Sequence, residues 1–156
     1  MADIVYINAD LFSVPVDASI MRVHCVGSDF LMGAGIAAKF PHEIRSALQS
    51  LPRRDYTGHC LITGVGGFYT ANLVSKPYSA YYPGTRNRCR GDIAALRLCL
   101  ADLKRQLKPI TKELHMPLIG CGLDNLDWKT QVEPAIVEIF KNTNITIRVF
   151  YLGKRP

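Results

Sequence analysis

Two apolar runs near the start of the chain, Ile4-Val5-Tyr6-Ile7 and Ile20-Met21-Arg22-Val23-His24-Cys25-Val26, predict the first two strands, the second able to lie wholly within a core. A glycine-rich turn follows. Beyond it, Ile36-Ala37-Ala38-Lys39-Phe40 is helical in composition up to Pro41, which itself suits the first position of a further helical stretch through Ser50. Cys60-Leu61-Ile62-Thr63-Gly64-Val65 and the run from Tyr69 to Ser75 predict a hairpin closed by Gly66-Gly67, and hence an antiparallel part of the sheet. From Asp92, a suitable cap, Ile93, Leu96, Leu100, Leu103 and Leu107 recur at helical spacing. Glu113 to Ile119 predicts a strand, Trp128 to Phe140 a helix, and Ile145 to Leu152 a closing strand. Strands and helices alternate throughout, so the expected fold is a three-layer α/β/α sandwich around a mixed central sheet. No repeat, low-complexity linker or shift in composition marks a boundary, and one domain is expected over residues 1–156.

Composition narrows the class. With 48% hydrophobic and 21% charged residues the balance is that of an ordinary globular chain. Apolar stretches stop well short of the ~20 residues of a spanning helix, and Met1-Ala2-Asp3 begins no signal pattern, so a cytoplasmic or nuclear protein without a membrane partner is expected. The five cysteines are odd in number, dispersed and free of any CxxC pair, which signals neither a disulfide framework nor a zinc site. No metal or other cofactor is expected. The formal charge of +6 favours an anionic partner: a nucleotide, a nucleic acid or an acidic protein. Part of the excess, Lys104, Arg105, Lys108 and Lys112, reads as a solvated helix end; another part, Arg86, Arg88 and Arg90, surrounds a Pro-Gly turn.

Two segments carry candidate chemistry. In His24-Cys25-Val26-Gly27-Ser28-Asp29-Phe30-Leu31-Met32-Gly33-Ala34-Gly35-Ile36 a strand runs into a GxG turn that opens a helix, an arrangement that can present N–H groups to a phosphate. By itself the GxG fits an ordinary tight turn as well, and it has the spacing of neither a dinucleotide fingerprint nor a Walker loop. In Met116-Pro117-Leu118-Ile119-Gly120-Cys121-Gly122-Leu123-Asp124-Asn125-Leu126-Asp127-Trp128 a strand again meets a glycine-bearing turn and a helix start. Two such loops at sheet ends can clamp a diphosphate. Asp127 before Trp128 reads most simply as an N-cap. Asp124 lies inside the turn, where capping needs it less.

These segments, with Asp10-Leu11-Phe12 after the first strand, resemble a macrodomain, and among macrodomains the terminal ADP-ribose protein glycohydrolase subclass with its bacterial and viral relatives, some of which act on ADP-ribosylated DNA. The resemblance follows the order of elements along nearly the whole chain and departs from it between Ser79 and Arg90. It implies that Asp10 holds the adenine amino group, with the Leu11 backbone nearby, as suits a carboxylate facing an amine donor. The alternative for Asp10 is a cap on its local turn. It implies further that Met32, Gly33, Ala34, Gly35 and Ile36 meet the distal ribose and phosphate, and that Gly120, Cys121, Gly122 and Leu123 cover the diphosphate from the other side. Gly27 stands where close relatives often have a small hydroxyl residue, which leaves one ribose or phosphate contact missing there.

The family's catalytic lysine matches Lys76 and its partner Asp124. The implied chemistry is attack by the lysine amine on C1 of the distal ribose, with proton transfer through the aspartate and a transient adduct resolved by water. Without the family, a lysine after an apolar strand reads as a solvated strand end. Pro77 departs from the close relatives and removes one backbone N–H beside the lysine. Tyr78-Ser79-Ala80-Tyr81-Tyr82-Pro83-Gly84-Thr85-Arg86-Asn87-Arg88-Cys89-Arg90 interleaves aromatic rings with arginines, so it is either a plain surface loop or a DNA contact through Arg86, Arg88 and Arg90. The expected activity is removal of ADP-ribose from ester-linked protein, O-acetyl-ADP-ribose or DNA. Two alternatives stand beside it: a non-catalytic ADP-ribose reader, and a phosphatase acting on ADP-ribose 1''-phosphate.

Overall fold

Alternation along the second apolar run divides the molecule into layers. In β2 (Ile20–Gly27), Met21, Val23 and Cys25 face one side of the sheet while Val26 faces the other, as a period of two requires. The structure, a computed structural model that describes residues 2–156, builds its sheet from this strand together with β1 (Asp3–Asn8), β3 (Cys60–Val65), β4 (Phe68–Lys76), β5 (Glu113–Met116) and β6 (Thr146–Tyr151). The strand order is β1-β6-β5-β2-β4-β3. All neighbours run parallel except β3 and β4, which form the antiparallel hairpin expected from Gly66-Gly67; both glycines have positive φ, 63° and 83°.

The helices α2 (Ile93–Gln106) and α3 (Glu133–Phe140) cover one face. Leu96, Leu100, Leu103, Ile136 and Phe140 bury there against Met21, Val23, Leu73, Leu114, Ile147 and Val149. Asp92 caps α2 through the Ala95 N–H, at 2.8 Å. The opposite face carries α1 (His42–Gln49), with Ile44 and Leu48 packed among Val26, Phe30, Phe40, Tyr56, Val74 and Phe150. The chain is therefore a three-layer α/β/α sandwich on a mixed sheet. Among the described residues no helix is long and apolar enough to cross a membrane.

Four sequence-based boundaries shift, each for a local reason. The segment after the GxG turn is a short 3-10 helix, Gly35–Lys39, because Pro41 follows too soon for a full α-helix to develop. Pro41 sits at the cap of α1 rather than inside it. The strand expected to reach Ile119 stops at Met116, since Pro117 has no N–H for the ladder. The helix expected from Trp128 begins as a π-helical turn, Trp128–Val132, and becomes α only at Glu133.

Behind the strand ends lies a buried polar tie. The Asn72 amide nitrogen donates to the Leu61 and Thr70 carbonyls and to Thr63 Oγ1, which leaves its oxygen facing His24 Nε2 at 2.6 Å. His24 Nε2 must therefore be the donor. Burial pushes this imidazole down to about 4, so it is neutral near pH 7. The pair fixes β2 against β4, and a shift of register after Val26 then sets their last residues, Gly27 and Lys76, side by side.

Candidate active site

Parallel strands send their following loops out at the same end of the sheet, where ligands of open α/β sheets bind. Here the loops after β1, β2, β4, β5 and β6 enclose a cleft with two lobes. One, of about 370 Å³, is bordered by Gly27, the Met32–Ala37 loop, Lys76, Ser79, Gly120, Gly122, Leu123 and Asp124. The other, of about 320 Å³, is bordered by Asp10, Leu11, Lys39, Cys121 and the end of β6 at Phe150, Tyr151 and Leu152. Ile36, Pro117, Leu118 and Gly122 border both, so the lobes meet between the two glycine loops.

Lys76 and Asp124 are the charged pair at the inner end. Lys76 Nζ lies 2.8 Å from Asp124 Oδ1, and the side chains keep only 9% and 8% of their exposure. A lysine at a sheet edge would reach water; this one is held inward, which excludes the solvated strand end. Gly91 seals the pair from behind: a Cβ there would lie 3.0 Å from both Asp124 Oδ2 and the Ser75 carbonyl oxygen. The buried Ser75 hydroxyl borders the same lobe and has no hydrogen-bond partner among the described residues. Cys25 and Cys121 also border the cleft, but burial raises the Cys25 thiol far above its usual range and pushes Cys121 up to about 11. Neither supplies a thiolate near neutral pH, so neither competes with the lysine amine as a nucleophile.

The two loops offer donors. Among the described residues, no hydrogen bond within the chain uses the N–H groups of Gly33, Ala34, Gly122 or Leu123. Gly35 is in the left-handed region at φ 62°, and a Cβ there would point into open space. The short 3-10 helix lacks the dipole of a long α-helix, so the individual N–H groups carry the attraction for an anion.

Not every expected side chain faces the cleft in the same way. Met32 is buried in the α1-side core with Phe30, both at positive φ, and Leu11 is buried in the same cluster. Cys121 borders the Asp10 lobe, while Leu123 borders the lysine lobe. Asp10 accepts from the Phe12 N–H at 2.8 Å, so it caps its turn as the alternative reading had it. Because a carboxylate has a second oxygen, the cap leaves Oδ2 able to meet a ligand amine in the lobe that Asp10 borders. Asp127 caps its turn through the Thr130 N–H at 2.9 Å.

Sequence reasoning missed Lys39, Ser75, Ser79, Gly91 and the end of β6. Phe150 to Leu152 could have been found from their place at the end of a parallel strand. Ser75, Ser79 and Lys39 lie within three residues of expected site positions, whereas Gly91 joins the cleft only through contacts distant along the chain.

A sheet of this order, with two glycine loops at its carboxyl end, is that of a macrodomain. No protein-family model matches the chain. The ADP-ribose glycohydrolase OARD1 of Bos taurus is 35% identical to it over 150 residues, 96% of this chain and 91% of the relative. Among solved structures, the macrodomain of Mycobacterium tuberculosis DarG superposes with a TM-score of 0.75 at 21% identity, covering 98% of this chain and 100% of that one. Thermosipho africanus DarTG in complex with ADP-ribose gives a TM-score of 0.72 at 16% identity, over 99% of this chain and 43% of that one. The chain belongs to the macrodomain family that includes ADP-ribose glycohydrolase OARD1.

Proposed function

We propose that this chain, acting as one macrodomain over residues 1–156, hydrolyses ester-linked ADP-ribose through Lys76 and Asp124. That it is an ADP-ribose hydrolase follows from its family. The observation that supports the lysine route is the buried 2.8 Å pair at the inner end of the cleft, an amine and a carboxylate suited to act as nucleophile and proton partner. Adenine lies against Asp10, the diphosphate between the Gly33–Ile36 and Gly120–Leu123 loops, and the distal ribose against Lys76. Asp124 takes a proton from the Lys76 ammonium, and the amine attacks C1 of the distal ribose as the carboxylate leaves. The ribose ring then opens to an imine, which water resolves to free ADP-ribose and amine. The substrates proposed are ADP-ribose esters of acidic side chains and O-acetyl-ADP-ribose, in the cytoplasm or nucleus. Release of ADP-ribose from an ester-modified protein tests this, and a chain that binds ADP-ribose without turnover is a reader instead.

Ligand choice gives a simpler check. Lys76, Ser79 and Asp124 border the inner lobe; on this reading the Gly33–Ile36 loop encloses the distal ribose and leaves little room for a nicotinamide. ADP-ribose at a hundredfold excess over Kd is expected to stabilise the fold by about 2.7 kcal/mol, roughly 5–10 °C in Tm, and NAD far less. Equal shifts in a thermal scan would remove the closed-ribose reading.

Attachment of the ADP-ribose to a nucleic acid is a second reading, favoured by the rim. Tyr81 and Tyr82 are 54% and 44% exposed beside the cleft, and Arg88 lies over the Tyr81 ring at 5.4 Å. Arg90 is committed in part: with the Asn125 amide nitrogen on the Gly122 carbonyl oxygen at 3.1 Å, the amide oxygen faces the Arg90 guanidinium. Replacing Arg86, Arg88 and Arg90 by Ala is expected to weaken single-stranded DNA binding and flatten its log-salt slope by up to ~2, while free ADP-ribose affinity holds. Parent protein that shows no DNA binding in the same titration leaves the loop a plain rim.

A further inference from the structure

Gly27 ends β2, and Ser79 stands three residues beyond Lys76. The two approach so closely that a Cβ on Gly27 would lie 2.6 Å from both Ser79 N and Ser79 Oγ and 2.8 Å from Ser79 Cα. Two of those atoms are backbone, so no rotamer change at Ser79 relieves the collision. Ser79 has taken the space that a side chain at position 27 would fill.

Its orientation is fixed from outside the cleft. The Ser79 N–H donates to Asp29 Oδ2 at 2.9 Å, and its hydroxyl donates to Asp29 Oδ1. A hydroxyl has one hydrogen and two lone pairs. With the hydrogen spent on Asp29, only acceptor capacity remains for the lobe that Ser79 shares with Lys76 and Asp124.

We propose that Ser79 is the positioning residue for the distal ribose, accepting a hydrogen bond from one ribose hydroxyl and so fixing C1 against the Lys76 amine. This rests on the reading of the inner lobe as the distal-ribose site. It also bears on substrate class. An acceptor backed by the Asp29 carboxylate pairs with a ribose hydroxyl and opposes phosphate oxygens, so the lobe favours an esterified ribose over ADP-ribose 1''-phosphate.

The test compares ester-linked ADP-ribose with its 2''-deoxy and 3''-deoxy analogues on three proteins: parent, Ser79→Ala and Gly27→Ser. In the parent, loss of the paired hydroxyl is expected to lower kcat/KM about tenfold, the scale of one neutral hydrogen bond. Ser79→Ala should show the same loss with the full substrate and no further loss with that analogue. Gly27→Ser should lose activity with every substrate, because its Cβ collides with the backbone at position 79. A Ser79→Ala protein that discriminates the analogues as the parent does overturns the proposal, as does a Gly27→Ser protein with parental activity. A parent inactive on every ester overturns the functional reading, and this inference with it.

Discussion

Lys76→Ala is expected to retain ADP-ribose affinity within about tenfold, ~1.4 kcal/mol, while hydrolysis of ester-linked ADP-ribose falls by roughly 10⁴-fold, the scale of removing a nucleophile. On the proposed reading adenine and diphosphate contacts come from Asp10 and the glycine loops, so the ground state should lose little. Borohydride added during turnover should trap ADP-ribose on the parent and not on the variant, because the imine forms only at that amine. Asp124→Ala should lose turnover too, and stability with it. Its partner carboxylate is 8% exposed, and its removal strands a buried ammonium, a cost of about 3–5 kcal/mol when a buried pair is broken on one side. Lys76→Ala strands the carboxylate and should also lower Tm, so affinities must be measured below both transitions. Turnover of the Lys76→Ala protein at the parental rate would replace the lysine route by attack of water.

Gly35→Glu is expected to abolish ADP-ribose binding, by about a thousandfold or more. A Cβ at Gly35 meets nothing within 4 Å, so the side chain has room, and Gly35 borders the cleft. A carboxylate about 4 Å from the diphosphate costs roughly 4 kcal/mol at the effective dielectric of a protein surface. The left-handed φ of 62° adds about 1–2 kcal/mol of strain to any side chain there, a loss the fold should survive. Gly35→Ala carries the same strain without the charge and should bind nearly as the parent does. Calorimetric titration separates the two, and undiminished affinity in Gly35→Glu would show that the loop does not cradle the anion.

How far such a site could be read in advance depended on sequence distance. The strand and turn of Cys25 to Ile36, the strand ending at Lys76 and the turn around Asp124 are local patterns, set by alternation and by glycine, and each was legible. Lys76 was placed at a strand end, but an isolated strand end gives no sign of burial. Its pairing with Asp124 across 48 residues, and its enclosure by Gly91, arise only when β4, β5 and the start of α2 are packed.

The rim shows the division most sharply. Alternation and turn chemistry determined a mixed sheet with layered helices, because apolar faces of period two and three-to-four can be buried in few other ways. The residues also determined that Gly27 lacks a hydroxyl. Only the tertiary structure decided that Ser79 stands in that space with its proton tied to Asp29, fifty residues away in the chain. Approach of two backbones to within a single Cβ leaves no periodic trace in the sequence, since it is fixed by how the strand ends are set and not by what either segment prefers on its own.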